Sequence, residues 1–69
     1  MKIFAERLKE LRKEKGISQE KLAKELQLSK GIICYWETNQ NEPTAPNIVK
    51  VADHFGVTAD YLLGRTDNY

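Results

Sequence analysis

The stretch from Ser18 to Pro43, SQEKLAKELQLSKGIICYWETNQNEP, holds two candidate helices and almost nothing to join them. Ser18 stands where a hydroxyl caps a helix by accepting from a free N–H of its first turn, and Glu20 suits the positive pole there. Leu22, Ala23 and Leu26 then fall on one stripe of a helix over Gln19–Gln27. Gln27 and Leu28 make a short turn before Ser29, a second cap, which opens a helix from about Lys30 to Thr38. The following NQNEPT is a polar loop in which Asn39, Asn41 and Pro43 act as breakers. Two short helices so closely joined can cross steeply only if small and apolar residues meet. Ala23 permits close approach, and Leu22, Leu28, Ile33 and Trp36 can fill the shared core.

The same logic extends outward. Phe4, Leu8 and Leu11 recur at helical spacing in IFAERLKELRKEKG, and Gly16 ends that helix in the left-handed conformation. Thr44 caps a helix to about Phe55 that carries Ile48, Val51, Ala52 and Phe55 inward, with Pro46 in its first turn, where the missing N–H costs little. Gly56 stops it, Thr58 caps a last short helix through Leu63, and Gly64 stops that one. Strand alternation is absent. The expected fold is all-α: five helices in a compact single domain spanning residues 1–69.

Composition narrows the function. Hydrophobic residues make up 41% and charged residues 30%, ordinary for a globular domain. No apolar run approaches the roughly 20 residues of a membrane span, and MKIFAERLKE lacks the apolar core of a secretion signal. Cys34 has no internal partner, and with the single His54 it cannot build a zinc site, so neither disulfide, metal nor cofactor is expected, and a reducing cytoplasm is. No Ser/His/Asp order, paired carboxylates or phosphate-cradling glycine loop points to an enzyme or a small-molecule site. Net charge is only +1, but residues 1–30 carry nine Lys/Arg against five Glu, while residues 31–69 carry two Lys/Arg against five acidic residues. That asymmetry suits a face presented to a polyanion.

The helix after Ser29 has little charge and many apolar side chains. With Ile33 set at zero on a helical wheel, Trp36 and Glu37 lie within about 60° of it and face inward. Gly31 and Tyr35 lie near 160° and 200°, facing away with Thr38 beside them, and Ile32 and Cys34 flank at about 100° on either side. Half of the apolar cluster is core; the other half faces outward.

With these residues in view, the chain resembles the lambda-repressor/Cro-like helix-turn-helix regulators, the XRE family. The resemblance is carried by RLKELRKEKGISQEKLA, by Ser29, Ile33 and Trp36-Glu37 at the right spacing, and by VADHFGVTADYLLG after them. It covers nearly the whole chain and implies a helix-turn-helix over about residues 18–38 whose second helix enters the major groove of double-stranded DNA. Base contacts are then implied for Lys30, Gly31, Ile32, Cys34 and Tyr35, and backbone contacts for Gln19, Thr38, Asn39, Gln40, Asn41 and Asn47. Gln19 would also brace the recognition helix. Arg12 and Glu37 are implied as a structural ion pair. Gly31 departs from the polar residue usual at its position, and the 39–42 loop lacks the Lys or Arg that relatives often carry. The implied function is a bacterial or phage transcriptional regulator, a repressor, bound as a homodimer (in solution or only on DNA) to a palindromic or pseudo-palindromic operator. Helix 5, with Tyr61, Leu62 and the tail GRTDNY, is the expected dimer surface. The alternative is a protein-interaction module, such as an antitoxin or anti-regulator, using the helix-3 face or the tail.

Overall fold

A computed structural model describes all 69 residues and contains five helices: α1 Lys2–Lys15, α2 Gln19–Leu26, α3 Lys30–Glu37, α4 Ala45–Phe55 and α5 Ala59–Leu62. Each of the last four begins on the expected cap. The hydroxyls of Ser18, Ser29, Thr44 and Thr58 accept from the N–H groups of Lys21, Ile32, Asn47 and Tyr61 at 3.0, 3.2, 3.4 and 3.0 Å. These caps satisfy donors that a helix start leaves free. Gly16 and Gly56 end α1 and α4 in the left-handed region.

Three boundaries shift inward by one residue. α2 stops at Leu26, because Gln27 itself turns left-handed at φ 60° and lets the Leu28 N–H reach the Ala23 carbonyl at 2.8 Å. α3 stops at Glu37, and α5 at Leu62, where the Gly64 N–H bonds the Tyr61 carbonyl.

Thirteen buried side chains form one core cluster. Leu8, Leu22, Ile33, Val51 and Leu62 are fully buried, one from each helix. Trp36 meets Phe4 edge-on, with ring centroids 5.8 Å apart. α3 lies against α2 and α1; α4 lies against α2 and α5. A radius of gyration of 10.6 Å matches the roughly 11 Å of a tightly folded chain this long. No helix is long and apolar enough to cross a membrane.

Two expectations need correction. Phe55 is only half-buried, flanking the core rather than filling it, with its ring beneath Lys15 Nζ at 5.6 Å and edge-on to His54. Tyr61 and Leu62 are buried in the chain's own core and are not available as a dimer surface. The tail is also engaged. Arg7 donates to the Tyr61 carbonyl, to the Thr66 carbonyl at 2.6 Å and to Asp67 at 2.9 Å, and its guanidinium lies 4.1 Å above the Tyr61 ring. Tyr69 closes against the same ring at 4.8 Å.

Candidate nucleic-acid interface

The site is built on α3, whose inward side is fixed first. Ile33 and Trp36 are buried, and the Glu37 side chain is 2% exposed at the helix end. A carboxylate so deep needs partners, and it has three bonds. Arg12 of α1 donates through Nε at 2.7 Å and through Nη2 at 3.0 Å; Gln19, opening α2, donates to Oε1 at 3.1 Å. Arg12 also donates to the Ile17 carbonyl at 2.8 Å, so one guanidinium ties the α1–α2 turn to α3. The Glu37 bond raises the Arg12 guanidinium above its ordinary value, against burial, which acts the other way. The expected ion pair and the expected brace therefore belong to one buried network that sets how α3 sits on α1 and α2.

The outward side follows. Lys30, Gly31 and Tyr35 are exposed, Tyr35 by 47%, whereas Ile32 and Cys34 are half-buried and Ile32 packs against the core. Lys30 is the one free charge on α3, and it shares a shallow surface depression with Lys24 and Glu20 of α2. Tyr35 alone among the large apolar side chains of α3 stands clear of the surface. At about 1.5 Å per residue the helix is roughly 12 Å long, about the width of a major groove.

The loop after α3 is ordered by its own bonds. The Thr38 hydroxyl donates to the Cys34 carbonyl at 2.8 Å and accepts from Gln40 Nε2 at 3.0 Å, and the Gln40 N–H reaches the Tyr35 carbonyl at 2.8 Å. Asn39 sits at φ 60° with its Oδ1 accepting from the Met1 α-amino group at 2.7 Å; Glu42 lies 3.8 Å from the same amine. Asn41 is exposed, and Asn47 is half-buried at the start of α4. The geometry thus brings Gln19, Thr38, Asn39 and Gln40 around the C-terminal end of α3, with Gln19 and Asn39 already bonded to Glu37 and to the Met1 amine.

Sequence reasoning missed two clusters. One is the Arg7 clamp on the tail. The other lies at the α4 end, where His54 Nε2 meets Glu25 at 2.8 Å and Lys15 at 3.3 Å. Both join residues that are 29 or more positions apart, so no local spacing announces them.

Comparison with known proteins bears on this arrangement. The family model described as a helix-turn-helix domain matches residues 5–68. The chain belongs to that family, in its lambda-repressor/Cro-like branch. Among curated relatives, the HTH-type transcriptional activator BcrR of Enterococcus faecalis is 37% identical over 60 residues, covering 87% of this chain and 29% of BcrR. The chain spans between 13% and 59% of the length of the curated relatives it matches. Among solved structures, the P22 c2 repressor in complex with a synthetic operator superposes at a TM-score of 0.80 with 30% identity, over 86% of this chain and 89% of that one. The restriction-modification controller protein C.AhdI from Aeromonas hydrophila superposes at 0.77 with 36% identity, over 86% of each chain. α2, the Gln27–Ser29 turn and α3 all lie within the matched residues.

Proposed function

We propose that residues 1–69 form one domain that binds double-stranded DNA sequence-specifically as a cytoplasmic transcriptional regulator, a repressor, by laying α3 in the major groove. One observation carries the reading: α3 is anchored rigidly on its inner side while Lys30, Gly31 and Tyr35 stand free on its outer side, in a helix-turn-helix domain resembling a repressor solved on its operator. Lys30 supplies a donor to a base edge or phosphate, Tyr35 reaches a base or phosphate through its hydroxyl, and Ile32 and Cys34 skirt thymine methyls. Gln19, Thr38, Asn39, Gln40, Asn41 and Asn47 meet the sugar-phosphate backbone. Because the 39–42 loop brings amides and Glu42 rather than cations, affinity for one half-site is modest and falls only moderately with salt.

A homodimer reads a palindrome by setting two copies of α3 about one turn apart. At the α5 end, Met1, Ile3 and half-buried Leu63 form the apolar edge left to meet a second copy. The rival reading as a protein-interaction module is not favoured, since half-burial of Ile32 and Cys34 leaves α3 without a continuous apolar patch.

The test is selection of bound duplexes from a random pool, followed by fluorescence anisotropy on the winner at two salt concentrations. The expected result is an enriched palindrome bound about a hundredfold or more tighter than scrambled DNA. Tyr35→Ala should abolish that preference with the melting temperature unchanged. Absence of any enriched sequence refutes the reading.

A further inference from the structure

Three of the four glycines are required by the backbone: Gly16, Gly56 and Gly64 sit at φ 72°, 69° and 80°, where a Cβ is strained. Gly31 is not. It lies within α3 in ordinary helical conformation, and a Cβ built on it meets only Ser29 Oγ, at 3.9 Å, an ordinary contact distance. Neither conformation nor internal packing asks for glycine there. The chain also leaves Gln27 and Asn39 at positive φ, two positions where a glycine would relieve strain. A glycine inside a helix loosens it relative to alanine, and α3 has only eight residues. Nothing inside the fold accounts for the missing side chain.

Gly31 is exposed and lies one turn before Tyr35 on the same outward face. We infer that Gly31 is a specificity-determining position: it leaves a notch in the recognition surface, bounded by Lys30 and Tyr35, that admits the edge of a base pair against the helix backbone. A Cβ at this point would hold the base pair off by about the thickness of a methyl group. The neighbouring contacts, set by the buried Arg12–Glu37–Gln19 network, could then not close at the same time. The inference rests on the reading of α3 as the DNA-binding helix and specifies how that helix selects its site.

Gly31→Ala tests it, with the melting temperature and the affinities for the selected and scrambled duplexes measured side by side. The expected variant melts a few degrees higher, because alanine favours the helix. It binds the selected duplex about tenfold or more weaker, a loss of about 1.4 kcal/mol for each tenfold. Its affinity for scrambled DNA, held through phosphates, changes by less than about twofold. Four results overturn the inference in distinguishable ways. Unchanged binding of the selected duplex removes the notch and leaves the DNA reading standing. Equal weakening on both duplexes makes Gly31 a general docking residue. A lower melting temperature makes the glycine a requirement of the fold. Failure of the parent protein to select any duplex removes the DNA reading, and the notch with it.

Discussion

Replacing Arg12 with methionine would strand the Glu37 carboxylate, and the cost can be worked from the geometry. The Glu37 side chain is 2% exposed and that of Arg12 12%, so water cannot replace the two bonds, at 2.7 and 3.0 Å, that disappear. Gln19 at 3.1 Å would be the one side-chain donor left to it. Removing one member of a buried pair costs on the order of 3–5 kcal/mol, mostly the penalty of the charge left behind. A 69-residue chain has about 7 kcal/mol of stability at roughly 0.1 kcal/mol per residue. The variant should therefore fold at room temperature with about half its stability gone, and its midpoint in urea should fall accordingly with an unchanged slope. The decisive comparison is the double variant Arg12→Met/Glu37→Leu. If the buried charge is the cause, removing it as well restores most of the loss, since an apolar pair of similar volume is often neutral or better. A single-variant loss below about 1 kcal/mol, or a double variant no more stable than the single, would refute the argument.

Other predictions follow the same network outward. Ser29→Ala removes the cap that accepts from Ile32 N–H at 3.2 Å. It should cost about 1 kcal/mol, a melting shift of roughly 4–8 °C, and Ser29→Asp should recover it; no change on alanine substitution sinks the capping account. Arg7→Met frees the tail by deleting bonds to Tyr61, Thr66 and Asp67. Trypsin should then cut after Arg65 severalfold faster, and an unchanged rate would mean the clamp holds nothing. Burial, aided by Tyr69 and opposed by Arg7, raises the Tyr61 phenol above its ordinary value. That contribution is complete below about pH 10 and is lost as pH rises through the folded value, because the unfolded phenol ionises first. Melting temperature should therefore fall more steeply above about pH 10 in the parent than in Tyr61→Phe, and parallel slopes would contradict this.

The helices were legible because their signals are local. Ser18, Ser29, Thr44 and Thr58 bond within three residues of themselves, and the stripes led by Leu8, Leu22, Ile33 and Val51 repeat within a turn or two. The wheel on α3 sorted its faces correctly, with Ile33, Trp36 and Glu37 inside and Gly31 and Tyr35 outside. Helix ends were less legible: Gln27 turns left-handed without being glycine, which no propensity announces.

What the sequence by itself determined was the set of five amphipathic helices, the short α2–α3 turn and the identity of the outward residues of α3. All of these follow from patterns a few residues long. What only the tertiary structure decided was which surfaces remain free and what holds them. Tyr61 turned out to be core rather than interface, and Ile32 half-buried. The Arg7 clamp and the His54–Glu25 contact join positions 29 to 60 residues apart. The need for glycine at position 31 could be separated from that at the other three only once the space around its Cβ was known. Burial and long-range pairing depend on how the helices stack, and stacking is settled by the whole core at once rather than by any single stretch of chain.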